Sequence, residues 1–476
     1  MRTIYEQRRA TLLGSLLDKC GAHLRPYPAV AGLHIAAALG GAVSAGEFVA
    51  RAAKAGVGVR TIAEFATGRS APEGIVIGYL RPLSGEDMSS FRSYPLCSIV
   101  LASGQSIVEE AIMAPPNKTE RRAIVDTHRH PIGPKLAAKM AEAGFYDPKQ
   151  EFPQTNAQDL IGYREFYDLE YAMPKSREEG VTLSLASNGG EVEWFAQDLL
   201  KVSTGDALKI LNDEYLEIRD SYPGEFALMA NAHALEENCR PIVEEMIRKG
   251  GAKAVAVSSS YGDGAGRAFL DSPKAEWLWE FAAANDLVVH IHPPMLSLGH
   301  EALMQYRLNE AVGRPFDSTV NGARMIASGL FDRHPKLQVL IVHMGGELAS
   351  VLGRLEFNWR LNYKGIRNPP AGKPYKNIRP PSDYFKTNIL VDCMGFNPIG
   401  LQAAVDMCGV DRVVFGSDYG PVPYGIKEHV QIVEDVLPSP AERQQVFSKT
   451  SNRIFRLGLS DTDLVDAAVQ QSRRSA

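Results

Sequence analysis

Residues 124–131 read IVDTHRHP, an apolar start followed by two histidines that are separated by one residue, and then a proline. Such a segment is typical of a short strand that stops before the proline. Side chains two positions apart on a strand point to the same side, so His128 and His130 face one side together. The segment therefore predicts a strand with paired imidazoles at its carboxyl end.

Beyond residue 131, short apolar segments alternate with amphipathic ones. This alternation is typical of parallel strands joined by crossover helices. Counting residues 124–130 as the first strand, seven more are predicted: Val181–Ser187, Phe226–Ala232, Ala254–Ser259, Leu287–His292, Gln338–His343, Ile389–Cys393 and Arg412–Asp418. Helices are predicted between them, among others Pro241–Lys249, Ala275–Ala284 and Glu347–Tyr363.

Eight strands with intervening helices predict an α/β protein with a (β/α)8 TIM barrel, a fold that takes about 250 residues or more. An open doubly wound sheet is the alternative fold. Against it, no G-x-G-x-x-G sequence follows the first predicted strand.

The first part of the chain has a different pattern. It contains a helix-like segment, Ser44–Lys54, and strand-like segments near Val57–Phe65 and Gly74–Leu80. Residues 115–122, PPNKTERR, are typical of a linker because they combine prolines with charges. We therefore predict a small N-terminal α+β domain with its linker at residues 1–118 and the barrel at residues 119–476.

Composition restricts the class of protein. A chain of 476 residues with 45% hydrophobic residues can bury more than one core, whereas a net charge of -5 without a Lys/Arg-rich segment argues against nucleic acid as a partner. The first twenty residues carry charges throughout and show no apolar signal region, so we expect neither secretion nor a membrane. Five scattered cysteines without a C-x-x-C pair are typical of reduced thiols, which predicts a cytoplasmic protein.

Residues 134–176, after the first strand, are unusually long for a barrel loop and rich in aromatic side chains. Long loops in compact domains are often lids or binding segments. An additional packed helix accounts for the same composition, and the sequence leaves both interpretations open.

Polar residues stand where several predicted strands end. His290 and His292 end the fifth strand, His343 the sixth and Asp418 the eighth, while His233 follows the third. One histidine at a strand end is most often a hydrogen-bonded rim residue. Together with His128 and His130, however, these groups are poorly explained by packing, because burying unpaired polar groups is costly. A shared cation at the carboxyl end of the barrel would satisfy them together.

These motifs resemble a known family. The matching segments are DTHRHP at 126–131, VVHIHP at 288–293, SGLFDRHPKL at 328–337, VHMGG at 342–346, SDYF at 382–385 and VFGSD at 414–418. In this order they resemble the amidohydrolase superfamily, and within it the branch of aminocarboxymuconate-semialdehyde decarboxylase and related aromatic-acid decarboxylases.

The resemblance implies a ligand set. It makes His128, His130, His292 and Asp418 the metal ligands, with His343 and Asp418 as catalytic residues and His343 as the acid/base. His290 is a departure, since the family usually has an apolar residue there. The choice of His292 over His290 depends on the adjacent proline.

Imidazoles with one carboxylate suit Zn²⁺ and also admit Mn²⁺, so we expect one divalent ion, with Zn²⁺ as the first choice and Mn²⁺ as the alternative. The fourth strand ends in Val257-Ser258-Ser259-Ser260 and offers no lysine for a dinuclear bridge. Separately, the first part of the chain contains AGLHI at 31–35, AAKAGVGV at 52–59 and GIVIGY at 74–79. With these segments, residues from about 8 to 90 resemble part of the small domain of fold-type I aminotransferases. The domain that would supply the cofactor lysine is absent, so pyridoxal phosphate binding is not predicted. The predicted role is that of a remnant or of an oligomerisation module, as in a homodimer.

The predicted activity is non-oxidative decarboxylation of an aromatic or cyclic acid, a small-molecule substrate. The first alternative is metal-dependent hydrolysis of a lactone, an amide or another C–O or C–N bond, which would use the same site. The second is a non-catalytic binding or regulatory protein. Arg129, Arg324 and Lys135 are candidates for a carboxylate contact, and each is equally well explained as a surface charge.

Overall fold

The structure is a computed structural model that describes residues 24–27, 34–40, 44–54, 59–65, 74–78, 123–144, 164–363, 374–422 and 425–460. The chain divides into two compact units, Met1–Thr119 and Glu120–Ala476. The division predicted from the sequence, after residue 118, implies that the two units fold separately. Their separate folding stays a prediction. The predicted linker, residues 115–122, lies outside the described residues.

In its described residues the first unit contains four strands, β1 (Leu24–Pro26), β2 (His34–Leu39), β3 (Val59–Thr61) and β4 (Gly74–Gly78), and one helix, Ala45–Lys54. The strands form an antiparallel sheet in the order β1-β2-β4-β3. Ile35 and Ile75 of the sheet and Phe48 of the helix are buried. The predicted α+β character of this region is therefore seen in its described residues.

The second unit contains eight parallel strands that lie side by side in chain order. They are β5 (Ile124–Arg129), β6 (Val181–Ala186), β7 (Phe226–Asn231), β8 (Ala254–Ser258), β11 (Val288–His292), β12 (Gln338–Ile341), β13 (Ile389–Asp392) and β14 (Val413–Val414). A short antiparallel hairpin, β9 (Ser260–Tyr261) with β10 (Ala268–Phe269), stands between β8 and β11. All eight predicted strands are present, and the predicted (β/α)8 barrel is confirmed.

The first and last strands of this sheet meet and close the barrel. The backbone N–H of Thr127 donates to the carbonyl of Phe415 at 2.9 Å, and that of Asp418 donates to the carbonyl of His128 at 2.8 Å. The segment that carries the two histidines is therefore bonded directly to the segment that carries Asp418.

The interior of the barrel follows from the two-residue period of its strands. On β11, Val288, His290 and His292 point inward, while Val289 and Ile291 pack against the surrounding helices. Below the carboxyl ends, every strand contributes to one apolar interior cluster, whose members are Val125, Leu183, Leu185, Met229, Ala254, Ala256, Val288, Leu340, Leu390, Val414 and Phe455. Polar side chains therefore collect at one end of a packed interior.

The helices surround the barrel. The main ones in the described residues are Pro134–Glu142, Leu169–Glu178, Thr204–Ser221, Arg240–Gly250, Glu276–Ala284, Arg314–Ala327, Leu348–Tyr363, Pro381–Thr387, Pro398–Cys408 and Gly425–Val436, with shorter turns at Arg164–Tyr167, Val192–Trp194, Leu330–Arg333, Pro440–Gln444 and Thr450–Ile454. Within the described ranges, no helix is both long and apolar enough to cross a membrane.

All eight barrel strands are shorter than predicted, six of them by one residue. The two that are shortened further, β12 and β14, both stop at the candidate site. β12 ends at Ile341 because His343 begins a run of positive φ angles. β14 ends at Val414, and Asp126 instead accepts hydrogen bonds from the backbone and hydroxyl of Ser417. Side-chain and turn contacts therefore replace the regular ladder where the polar residues are held.

Candidate metal centre

The structure brings together all five residues that the sequence predicted for the site. They are buried side by side at the carboxyl end of the barrel: His128, His130, His292, His343 and Asp418. The imidazole ring centroids of His130 and His292 are 4.6 Å apart, and those of His292 and His343 are 5.3 Å apart. The strand order explains this proximity, because β5 is joined to β14 and β11 pairs with β12.

Asp418 lies at the middle of the cluster. Its Oδ1 atom is 3.3 Å from Nε2 of His130 and 3.5 Å from Nε2 of His128. Its Oδ2 atom is 3.6 Å from Nε2 of His343. A single carboxylate thus faces three imidazoles at distances longer than good hydrogen bonds.

Several of these atoms have no hydrogen-bond partner among the described residues: Nε2 of His128, His130 and His292, and Oδ1 of Asp418. All of them are buried, and a buried polar atom without a partner costs free energy. Imidazole nitrogens and a carboxylate oxygen are the donor set of a divalent metal ion. The residues present therefore fit a bound metal ion.

The other nitrogen of each of these imidazoles is already committed. Nδ1 of His128 contacts Oδ2 of Asp392 at 2.7 Å, Nδ1 of His130 contacts the carbonyl of Ser187 at 2.5 Å, and Nδ1 of His292 contacts the carbonyl of Pro293 at 2.8 Å. Because each partner is an acceptor, each Nδ1 carries a proton, so Nε2 is the nitrogen that can offer a lone pair to a metal ion.

His343 differs from these three histidines. Its unpartnered buried nitrogen, considering the described residues alone, is Nδ1. The four residues whose ligand atoms all lie within 4.8 Å of one another are His128, His292, His343 and Asp418, while His130 is joined to the group through Asp418. All five residues lie close together in the structure, and the assignment of metal ligands among them is a proposal.

The charges of the cluster follow from its burial. Burial lowers the pKa of His128 and His292 well below the usual range of an imidazole, which keeps both rings neutral. Burial raises the pKa of Asp418, but His128 and His130 outweigh it and hold that pKa well below its usual range. Burial likewise lowers the pKa of His130, but Asp418 outweighs it and raises that pKa to about 9.

The backbone at His343 is unusual. His343 has φ 58° and Met344 has φ 55°, and Gly345 and Gly346 follow with φ 76° and 64°. Side-chain-bearing residues rarely adopt this left-handed region, and such conformations cluster at functional sites. The turn carries the imidazole of His343 to the cluster beyond the end of β12.

His290 lies one layer deeper in the barrel than His292. Its neighbours on the adjacent strands are Ala256 and Leu340. Its ring centroid is 5.7 Å from that of His128, and neither of its nitrogens has a hydrogen-bond partner within the described ranges. Burial lowers its pKa well below the usual range. It is absent from the group of converging ligand atoms, whereas His292 belongs to it.

The sequence interpretation missed Glu191, which follows the second barrel strand. Its Oε1 atom lies 3.4 Å from Nδ1 of His292, and burial raises the pKa of its carboxyl group. The residues before it are Gly189 and Gly190. A Cβ atom on Gly190 would lie 2.4 Å from Nδ1 of His292, so glycine permits this approach. The signal in the sequence was the Gly-Gly-Glu triplet at a strand end.

The three basic side chains considered for a carboxylate contact are otherwise engaged. Arg129 is fully buried outside the barrel interior and donates to Ser184 Oγ at 3.1 Å. Arg324 forms two hydrogen bonds with Asp271, and Lys135 pairs with Glu217 on the surface. Arg324 and Lys135 are surface charges, as the alternative interpretation predicted, whereas that interpretation is wrong for Arg129, which is buried.

His233 lies apart from the cluster. Its ring packs on that of Tyr261, with centroids 3.9 Å apart, and its Nε2 atom is 3.5 Å from Oε1 of Glu193. In the aromatic segment after β5, residues 164–178 form two helices, whereas residues 145–163 lie outside the described residues.

A parallel eight-stranded barrel with imidazoles and a carboxylate at its carboxyl end defines a class of metal-dependent barrel proteins. Residues 125–457 match the sequence profile of the family described as Amidohydrolase, which is more than half of the 476 residues. The chain therefore belongs to the amidohydrolase family.

Two relatives that are similar to this chain in sequence are named as decarboxylases. The chain is 27% identical over 210 residues to gamma-resorcylate decarboxylase of Rhizobium sp. (strain MTP-10005), covering 42% of this chain and 59% of that protein. It is 29% identical over 169 residues to 2-amino-3-carboxymuconate-6-semialdehyde decarboxylase of Dictyostelium discoideum, covering 35% of this chain and 44% of that protein. The chain thus spans about half the length of these relatives.

Solved structures share the fold. Dihydroxybenzoic acid decarboxylase from Polaromonas sp. JS666, with bound manganese and 2-nitroresorcinol, superposes with a TM-score of 0.54 at 19% identity, covering 72% of this chain and 99% of that one. 5-Carboxyvanillate decarboxylase from Novosphingobium aromaticivorans, with manganese, superposes with a TM-score of 0.55 at 20% identity, covering 72% of this chain and 97% of that one. At this identity the likeness establishes the barrel fold.

Proposed function

We propose that this protein is a metal-dependent, non-oxidative decarboxylase of an aromatic or cyclic carboxylic acid. The observation that carries the proposal is that Nε2 of His128, His130 and His292 and Oδ1 of Asp418 are buried and lack partners among the described residues. The matching relatives, gamma-resorcylate decarboxylase and 2-amino-3-carboxymuconate-6-semialdehyde decarboxylase, support the reaction type.

We assign the metal to Nε2 of His128, His130 and His292 and to the carboxylate of Asp418. Each of these imidazoles has its Nδ1–H bonded to a fixed acceptor, which leaves Nε2 as the nitrogen available to the metal. A bound divalent ion would act as a Lewis acid that holds a substrate oxygen and stabilises negative charge.

His343 is the proposed proton donor. Decarboxylation breaks the bond between the ring carbon and the carboxylate carbon, CO₂ leaves, and the electron pair stays on the ring carbon. That carbon then needs one proton. His343 stands beside Asp418, with its Nε2 atom 3.6 Å from Oδ2, on a turn that is separate from the strands carrying the other histidines.

The donor set of three imidazoles and one carboxylate admits both Zn²⁺ and Mn²⁺. Zn²⁺ is the expectation from the sequence, and two similar structures hold manganese. Both ions therefore belong in the test.

The test loads metal-free protein with Zn²⁺ or Mn²⁺ and offers a panel of hydroxylated benzoates, lactones and amides, with CO₂ and products followed by mass spectrometry. CO₂ release from at least one aromatic acid, absent in the metal-free protein and strongly reduced in His343→Asn, is the expected result. Ring opening of a lactone or cleavage of an amide, with no CO₂ from any acid, would assign the same site to hydrolysis. Protein that retains no stoichiometric metal would favour the non-catalytic alternative.

We further propose that the first unit, whose described residues form a four-stranded sheet and one helix, serves assembly of a homodimer. We also propose that this unit is related to the small domain of fold-type I aminotransferases. A cytoplasmic location of the protein is a separate proposal. Buried free thiols at Cys239, Cys393 and Cys408 are compatible with a reducing compartment.

A further inference from the structure

Asp392 is the last residue of β13 and is fully buried. Its Oδ2 atom accepts a hydrogen bond from Nδ1 of His128 at 2.7 Å. Its Oδ1 atom accepts hydrogen bonds from the backbone N–H of Met344 at 2.9 Å and from that of Met394 at 3.3 Å. One carboxylate therefore contacts a proposed metal ligand and the residue that follows the proposed proton donor.

The contact with Met344 holds a strained segment. His343 has φ 58° and ψ 48°, and Met344 has φ 55° and ψ 25°. Two consecutive left-handed residues with side chains persist only where the surroundings restrain them. The hydrogen bond from Met344 to Asp392 is such a restraint, and it acts one residue from the imidazole that the turn presents.

The contact with His128 depends on a glycine in the neighbouring strand segment. A Cβ atom on Gly416 would lie 2.8 Å from Oδ2 of Asp392 and 2.8 Å from Cβ of His128. A larger residue would separate the two side chains. The glycine of the sequence Phe415-Gly416-Ser417-Asp418 thus leaves room for the pair beside the proposed ligand Asp418.

We propose that Asp392 is a positioning residue that fixes two functional groups at once: the imidazole of His128, through its Nδ1, and the imidazole of His343, through the backbone of Met344. The inference rests on the proposed function for the roles of those two histidines. It adds that metal binding and proton transfer share one orienting carboxylate.

The decisive variant is Asp392→Asn. An asparagine side chain has the size of the aspartate but only one acceptor oxygen, and its NH₂ group cannot accept a hydrogen bond. Whichever way the amide turns, either His128 or Met344 loses its acceptor. The matched control is Asp406→Asn, on the exposed face of a neighbouring helix, where the carboxylate accepts a hydrogen bond from Gln402.

The first measurement is metal affinity, by competition with a chromogenic chelator for Zn²⁺ and for Mn²⁺. We expect Asp392→Asn to bind about 10- to 100-fold more weakly than the wild type, because the Nδ1 partner of a ligating histidine orients its ring. Asp406→Asn should match the wild type. Wild-type affinity in Asp392→Asn would overturn the proposal. No substrate enters this measurement, so it stands even if the proposed activity fails.

The second measurement is a double-mutant cycle at saturating metal. If Asp392 acts on turnover through His343, Asp392→Asn lowers kcat about tenfold or more, and the double variant with His343→Asn falls no further than His343→Asn alone. Multiplied losses in the double variant, or an unchanged kcat in Asp392→Asn, would contradict the link to His343.

A measurement on the metal-free wild type keeps the test decisive if Asp392→Asn does not fold. The ¹⁵N spectrum of its imidazoles, with the signal of His128 identified by its loss in His128→Gln, should show His128 protonated at Nδ1 and bare at Nε2. A proton on Nε2 would mean that Asp392 does not orient this ring.

Discussion

The guanidinium carbon of Arg129 lies 5.1 Å from the centroid of the Tyr419 ring. These residues follow His128 and Asp418 in the chain, and their backbones form a parallel bridge between the first and last strand segments. The contact therefore links the first and last strand segments of the barrel. Three of the proposed ligands, His128, His130 and Asp418, come from these two segments.

Replacing this arginine tests the closure of the barrel. Arg129→Met should lower the free energy of unfolding by about 2–4 kcal/mol, because a buried cation–π contact and a hydrogen bond to Ser184 are lost together. Denaturant titration measures the change. Arg324→Met, which removes an exposed ion pair with Asp271, should cost less than about 1 kcal/mol. Equal losses in both variants would show that the contact with Tyr419 contributes little.

Two histidine variants separate proton transfer from metal binding. His343→Asn should lower turnover by roughly 10²- to 10⁴-fold, since a positioned acid or base contributes about that much, while metal content stays near that of the wild type. His128→Asn should lose metal and activity together. Metal content by mass spectrometry and rates on the substrate found in the screen provide the comparison. A folded His343→Asn protein without metal would make His343 a ligand.

The glycine beside His292 should not tolerate a methyl group. A Cβ atom at residue 190 would lie 2.4 Å from Nδ1 of His292, so Gly190→Ala should cost about 1–3 kcal/mol of stability and lower metal occupancy. Gly353→Ala is the control, because a Cβ there meets nothing within 4 Å and the residue lies inside a helix. The control should gain about 0.5–1 kcal/mol in thermal or chemical denaturation. Unchanged metal occupancy in Gly190→Ala would mean that His292 shifts without consequence.

The barrel should hold metal without the first unit. All eight of its strands lie within Glu120–Ala476, so deletion of residues 1–118 should leave a metal-binding protein with altered assembly. Size-exclusion chromatography and metal analysis would show both effects. An insoluble, metal-free fragment would place residues 1–118 inside a single folding unit, and an unchanged oligomeric state would contradict the proposed role in assembly.

Much of the site could be predicted from short-range patterns. The H-x-H of β5 and the polar ends of the fifth, sixth and eighth strands are visible in the sequence because strand periodicity and the residue type at a strand end are local properties. Glu191 and Asp392 were not predicted as site residues. Their relevance depends on distances to His292 and His128, which come from elements far away in the chain.

The sequence by itself determined the eight strands, their order, and which of their ends carry imidazoles and carboxylates, since these follow from side-chain alternation and from motifs of a few residues. Only the tertiary structure decided how the groups face one another. Closure of β5 against β14 places Asp418 beside His130, and the left-handed turn after β12 brings His343 to the same point. Those outcomes depend on packing and on hydrogen bonds between distant segments, and no local pattern encodes them.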